Sequence, residues 1–259
     1  MTLMTNVLLH GYRGRMGCVL CDLLEKTAGM SVVAGVDHHT AQPAPSFPVF
    51  NRISDCDVPA DVIIDFSNAS AIGDLLDYAL QKKTPIVLCT TGMSADIEEK
   101  ITACSEEIAI FRSANMSFGV NLMADILEKY SKVLYESGFD IEIIEKHHNQ
   151  KVDAPSGTAL LLADTIKNTL DPTVCYTFDR SQCRRKRVRE EIGISSLRGG
   201  SIVGEHSVLF AGHNEVLEIK HEAFSREIFA MGAIKAALFL STKKTGLYTM
   251  KDLIKEING

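Results

Sequence analysis

The run Asn6-Val-Leu-Leu-His-Gly11-Tyr-Arg-Gly14-Arg-Met-Gly17 reads as a short apolar strand, a tight glycine turn and the first turn of a helix. Glycine at such a turn lets the backbone approach a pyrophosphate, and the N–H groups and positive dipole at the helix start attract it. The spacing is G-x-x-G-x-x-G, one residue longer in the first gap than the commonest dinucleotide fingerprint. A second apolar run ends at Asp37, 20 residues beyond Gly17, where a carboxylate would bond the ribose hydroxyls of an adenosine. The charge of Asp37 would repel a 2′-phosphate and favours NADH, while Arg13, Arg15, His38 and His39 would offset that repulsion. NADH, NADPH or both stay open on these residues.

Working outward, β-rich runs alternate with helical patterns through the first half of the chain. Strands are expected at Asn6–His10, Ser31–Val36, Asp61–Phe66, Pro85–Cys89 and Ile108–Arg112, with helices at Arg15–Ala28, Ala69–Lys82 and Ser94–Glu106. That alternation predicts an α/β, Rossmann-like, doubly wound parallel sheet. The segment Pro43 to Pro48 reads as a surface loop ending in a short strand.

After Ala114 the rhythm changes. A helix of about five turns is expected over Gly119–Tyr135 from its apolar spacing, then a strand, Asp140–Lys146, and a further helix opening at Ser156. Runs at Ile192–Leu197, Ser207–Ala211 and Glu215–His221 have no helices between them. They predict a second α+β domain on a mixed or antiparallel sheet. A last helix, Ser225–Thr242, is followed by a short tail.

A formal net charge of −6 argues against a general nucleic-acid surface, which needs unopposed Lys and Arg. The one basic run, Arg184, Arg185, Lys186, Arg187 and Arg189, meets Glu190 and Glu191 at once and reads as a solvated loop or strand edge. Seven cysteines (18, 21, 56, 89, 104, 175, 183) are an odd set without metal-site spacing, which favours reduced thiols. Cys18 and Cys21 form a C-x-x-C within a helix, where a redox pair is a weak reading. No stretch approaches the length of a membrane span and no secretory leader is visible, so a soluble, cytoplasmic protein without nucleic-acid or membrane partners is expected.

The chemistry concentrates in Glu145-Lys-His147-His148-Asn-Gln-Lys151-Val-Asp153-Ala-Pro155-Ser156-Gly157-Thr158-Ala. A histidine can give or take a proton near neutrality, a lysine can neutralise a carboxylate, and the N–H groups of Ser156 to Thr158 at a helix start can bind an anion. A plain polar loop with a serine cap would not need so dense a set. Zinc is disfavoured, because adjacent histidines on a strand face opposite ways and no Cys or carboxylate triplet nearby completes a ligand set. Ser156 lacks the nucleophile elbow G-x-S-x-G.

These residues resemble the dihydrodipicolinate reductase family. The resemblance rests on His147 through Ala159 and, in the family's order along the chain, on Gly11 to Gly17, Cys89-Thr-Thr-Gly92, Ala114-Asn-Met-Ser-Phe-Gly-Val-Asn121, and Arg198-Gly-Gly200 through Gly204-Glu-His206, so it spans nearly the whole chain. It departs at Cys89, where Gly is usual, and at Met116, where Phe is common. The resemblance implies NADH- or NADPH-dependent reduction of 4-hydroxy-tetrahydrodipicolinate to tetrahydrodipicolinate, on the diaminopimelate route to lysine. It implies His147 as the proton-handling residue, Lys151 as a second acid, and His148, Lys151, Gly157 and Thr158 as holders of the carboxylates of a small dicarboxylate ring. Gly11, Tyr12, Arg13, Gly14, Arg15, Met16, Asp37, Cys89, Thr90, Thr91, Ser113, Ala114, Asn115 and Met116 would line the dinucleotide, with Gly17 closing the turn. It also implies a homotetramer, and a division into a dinucleotide domain (1–113), a substrate and oligomerisation domain (114–232) and a C-terminal helix and tail (233–259) returning to the first. The rival readings are a Rossmann dehydrogenase of the aspartate or homoserine type, which has no need of the His-His and Ala-Pro-Ser-Gly-Thr cluster, and a non-catalytic NAD(H) sensor, which has no need of two acids.

Overall fold

The computed structural model describes residues 4–38 and 45–258. The chain forms two compact units, Met1–Phe118 with Arg226–Gly259, and Gly119–Ser225. In the first, β1 (Thr5–His10), α1 (Arg15–Leu24), β2 (Met30–Val36), β3 (Val49–Phe50), β4 (Val62–Asp65), α2 (Ile72–Lys82), β5 (Ile86–Leu88), α3 (Ala95–Ser105) and β6 (Ala109–Arg112) follow in turn. Next, α4 (Phe118–Glu136) leads into the second unit, made of β7 (Asp140–His147), α5 (Gly157–Lys167), β8 (Cys175–Phe178), β9 (Glu191–Arg198), β10 (Gly204–Gly212) and β11 (Glu215–Ala223). The chain then rejoins the first unit as α6 (Glu227–Leu240), β12 (Gly246–Tyr248) and α7 (Met250–Asn258).

The first sheet runs β12-β6-β5-β4-β1-β2-β3 and is parallel at every pairing. Its strands are apolar on both faces because both are covered. Val7, Leu9, Val62, Ile64 and Phe111 point to α1 and α6, while Leu8, Ile63, Ile86, Leu88 and Ile110 point to α2 and α3. Burying each such side chain contributes about 1.5–3 kcal/mol. Chain order reverses between β1 and β4, so the crevice outside their carboxyl ends is where such a sheet takes its ligand.

The second sheet, β11-β10-β7-β9-β8, is mixed: β7, β9 and β8 are parallel, and β10 is antiparallel to β7 and β11. Alternate residues of β7 (Ile141, Ile143, Glu145, His147) are buried. The apolar ones pack with Met123 and Leu127 of α4 and Leu162 and Ile166 of α5.

Several expectations are corrected. The short tail after residue 242 carries two elements not expected there: β12 adds a strand beside β6 and α7 packs Leu253 into the core. The units divide at 118/119 and 225/226 rather than at 113/114 and 232/233, because α6 is one continuous helix whose Ala230 and Ala233 already belong to the first core. β8 was missed, since an edge strand with no fully buried face carries no alternation. α1 stops at Leu24 because the chain tightens there, with Lys26 N–H donating to Leu23 O and Thr27 N–H to Leu24 O. The basic run is not simply solvated: Arg187 reaches Asp140 at 2.6 Å and Glu142 at 3.0 Å, and Arg185 pairs with buried Glu191. Of the loop Pro43 to Pro48, the part up to 44 lies outside the described residues.

Candidate active site

In the first unit the glycine turn is held to its shape by sterics. Gly11 has φ +81°, and a Cβ there would stand 2.7 Å from Phe66 O; one at Gly17 would stand 2.3 Å from Gly11 O. No side chain caps the start of α1, so its first N–H groups point toward whatever the turn holds. A cavity of about 300 Å³ opens beside it, lined by His10, Gly11, Gly14, Asp37, His38 and Arg52 among others. Arg13 N–H donates to Asp37 Oδ2 at 3.1 Å, which ties the carboxylate to the turn. This cradle, with an acid at its rim and uncapped amides at its floor, fits an adenine dinucleotide.

The other residues expected at the nucleotide are dispersed. Tyr12 and Arg13 line a separate hollow of about 180 Å³ with Cys18 and Cys21, where the Arg13 guanidinium lies 5.1 Å from the Tyr12 ring centroid. The side-chain cation that lines the cavity with Asp37 is instead Arg52. Arg15 is exposed, Met16 packs on the core and Met116 lies within it. Thr90 is buried and donates to Asp65 at 2.7 Å. Burial and then Asp65 push the Cys89 thiol well above its usual range. Ser113 donates to Asn115 O, and Asn115 Oδ1 accepts from Ser117 N–H, so this turn after β6 is shaped by its own side chains; Thr91 and Ala114 are exposed. His39 lies outside the described residues. The Cys21 thiol is pushed up to about 11, first by burial and then by Cys18, the opposite of what a redox-active pair needs.

In the second unit the period of a strand does the assembly. Glu145 and His147, two apart on β7, share a face, and register sets Ser196 and His206 beside Glu145 and Arg198 beside His147. The Glu145 carboxylate is fully buried. It accepts from both terminal nitrogens of Arg198 (2.8 and 2.7 Å), from His147 Nδ1 (2.6 Å) and from Ser156 N–H (3.1 Å). Burial alone would raise its pKa; hydrogen bonds from Arg198, Ser196 and His147 together outweigh that and hold it at about 2. Because the acid is ionised and can only accept, His147 carries hydrogen on Nδ1. Its Nε2 lies over Gly204, where a Cβ would come within 3.1 Å. Burial lowers the His147 pKa, Glu145 opposes this, and Lys151 and Arg198 add to it.

Lys151 Nζ reaches Asp153 at 2.9 Å, and the His148 Nδ1 is buried without a hydrogen-bond partner among the described residues. Ser156 spends both its polar groups inside the protein. Its N–H goes to Glu145, and its hydroxyl caps Ala159 N–H (3.1 Å) and meets His206 Nε2 (2.9 Å). Gly157 and Thr158 then form the first turn of α5, at the positive end of its dipole. His206 stands edge-on to His147 at 5.2 Å, and burial followed by His147 lowers its pKa to about 4. Glu145, Arg198, His206, His10 and Asp65 were not foreseen as site residues. The available signal was positional: 145 and 147 share strand parity, and His10 and Asp65 each end an apolar strand. Among the described residues no group of three or more His, Cys, Asp or Glu is placed to hold a metal ion, and no helix is long and apolar enough to cross a membrane.

A parallel sheet with a glycine turn at its switch point, joined in one chain to a buried acid–imidazole site, belongs to the class of Rossmann-type, pyridine-nucleotide-dependent reductases. Residues 5–116 match the family model "Dihydrodipicolinate reductase, N-terminus" and residues 119–254 its C-terminal counterpart. The 4-hydroxy-tetrahydrodipicolinate reductase of Clostridium novyi (strain NT) is 50% identical over 255 residues, covering 98% of this chain and 100% of that protein. The protein of the same name from Clostridium tetani (strain Massachusetts / E88) is 49% identical over 248 residues, 96% of each. A dipicolinate-bound dihydrodipicolinate reductase from Paenisporosarcina sp. TG-14 superposes with TM-score 0.79 at 25% identity over 95% of this chain and 98% of that one. The C. glutamicum DAP dehydrogenase in complex with DAP shares the fold, with TM-score 0.54 at 13% identity over 96% and 93% of the two chains. The chain belongs to the dihydrodipicolinate reductase family, and it is an oxidoreductase.

Proposed function

We propose that this chain reduces 4-hydroxy-tetrahydrodipicolinate to tetrahydrodipicolinate, on the diaminopimelate route to lysine, with NADH or NADPH as reductant. We infer as well that it works as a homotetramer, as its family resemblance implies, and in the cytoplasm, the reducing compartment that its free cysteines favour. The single observation that carries the catalytic reading is the fully buried Glu145, clamped by Arg198 and holding His147 Nδ1 at 2.6 Å. A buried charge is costly unless the site needs it, and here it fixes the tautomer and aim of an imidazole.

A nicotinamide nucleotide held by the glycine turn Gly11 to Gly17 and Asp37 would supply the hydride for an electrophilic carbon of the ring. The protein's own residues do the rest. The start of α5 at Gly157 and Thr158, with His148 and Lys151, holds the two carboxylates. His147, anchored at Nδ1, keeps a proton at Nε2 for the negative charge that develops on the ring, and Lys151, across the turn that its N–H closes on His148 O, is the second acid. A positioned acid is worth about 10²- to 10⁴-fold.

The test is absorbance at the NADH band with and without freshly generated substrate, repeated with NADPH. Oxidation that requires the substrate is expected, and its absence with both nucleotides would overturn the reading. His147→Ala and Lys151→Ala should each cut turnover by about 10²- to 10⁴-fold while nucleotide affinity barely changes; unaltered turnover in both removes the assigned roles.

A further inference from the structure

The nucleotide unit carries a second buried acid–imidazole pair, at the point where its strand order reverses. His10 is the last residue of β1 and Asp65 the last of β4, and the two are in register. Nδ1 of His10 stands 2.8 Å from Asp65 Oδ1. The same carboxylate oxygen accepts from the N–H and hydroxyl of Ser67, and the other oxygen accepts from Thr90. Surrounded by donors, Asp65 acts as an acceptor throughout, so the hydrogen between it and His10 belongs to Nδ1.

That leaves Nε2 as the group with work to do. His10 is only 7% exposed, its Nδ1 is committed to Asp65, and the ring lines the cavity of about 300 Å³ beside Gly11 and Gly14. The charged and titratable groups around it are Asp65 on β4, Cys89 next to Thr90, Asp37 and His38 after β2, Arg52 after β3, and Asp74 on α2. Among the described residues three carboxylates stand with one guanidinium, Arg52, and burial keeps the Cys89 thiol neutral. Beside the positive end of α1, the side chains of this mouth add little of the positive charge that a pyrophosphate draws on.

We propose that His10 is a nucleotide-contacting residue: its Nε2 takes a proton from solvent as the dinucleotide binds and donates it to a pyrophosphate oxygen, so that nucleotide affinity rises as pH falls. An N–H bond forms at Nε2 as a hydronium ion or buffer acid gives up its proton, and the proton returns to solvent on release. The proposal rests on the reading that the glycine turn holds the dinucleotide.

Calorimetric titration of NADH into the full chain, without substrate, tests it at several pH values and in two buffers of different ionisation enthalpy. The wild type should bind more tightly at about pH 6 than at about pH 8 and take up a fraction of a proton per nucleotide. His10→Asn retains an amide that can meet Asp65 but has nothing at the Nε2 position. It should bind about tenfold more weakly at the acid end, with no uptake and a flat profile. His213→Asn, in the exposed turn between β10 and β11 of the second unit, should keep both uptake and profile. Equal affinity and equal uptake in wild type and His10→Asn would overturn the proposal, as would a wild type that binds NADH with no pH dependence and no uptake, or loss of uptake in His213→Asn. A wild type that does not bind NADH at all would instead sink the nucleotide reading itself.

Discussion

Glu145 is one side chain, yet it ties together stability, tautomer and pH dependence in the second unit. With its pKa held at about 2 against an ordinary value of 4.5, its contribution to folding is fully present above the ordinary carboxylate range. It is lost as pH falls from about 4.5 toward about 2, since protonation then favours the unfolded chain. Glu145→Gln removes the charge that Arg198 and His147 share. The variant should be less stable by about 3 kcal/mol near neutrality, and its denaturation midpoint should vary less with pH across that acid window than the wild type's. Turnover should fall about tenfold to a hundredfold, less than on loss of the acid itself. Burial already lowers the His147 pKa and Glu145 partly restores it, so kcat/KM should decline as pH rises, with a midpoint on the acid side of the usual imidazole range. Removing the carboxylate should move that midpoint lower still. A kcat/KM profile identical in wild type and Glu145→Gln would separate the two residues functionally.

Two of the close approaches between secondary-structure elements depend on a glycine. On β10, Gly204 leaves room for His147 Nε2, and an added Cβ would close to 3.1 Å. The imidazole cannot retreat without lengthening its 2.6 Å bond to Glu145. Gly204→Ala should therefore depress turnover more than it depresses Tm, with nucleotide affinity unchanged; a large fall in Tm with normal residual turnover would mean that the strand, not the ring, is what gives way. On α6, a Cβ at Gly232 would lie 1.7 Å from Met116 O, where helix and backbone touch directly. Gly232→Ala must push α6 off the turn after β6, and a loss of about 3 kcal/mol or more in chemical denaturation is expected. Wild-type stability in that variant would show that α6 moves at little cost.

At the scale of the whole molecule, β11 stands at the edge of the mixed sheet with Val216 and Leu217 61% and 46% exposed. An edge strand with apolar residues and unpaired backbone groups invites pairing with another copy. Light scattering at micromolar concentration should return a tetramer, and Val216→Glu with Leu217→Glu should reduce the mass; a monomeric wild type would remove the inferred assembly. Much of the first unit was legible in the linear chain, because its determinants are local. Apolar runs such as Val62 to Ile64 must be covered on both faces, and a glycine turn followed by Asp37 depends on spacing along one stretch. The cluster from His147 to Thr158 could be read for the same reason, being contiguous. What the linear chain did not disclose depends on partners far apart: Arg198 lies 53 residues from the carboxylate it clamps, and Asp65 lies 55 from His10. Residue types and local periodicity determined which chemistry this protein carries and which sheet displays it. Strand register alone decided which buried charge would face which ring, because hydrogen bonds across a sheet obey spatial order and leave no trace in sequence distance.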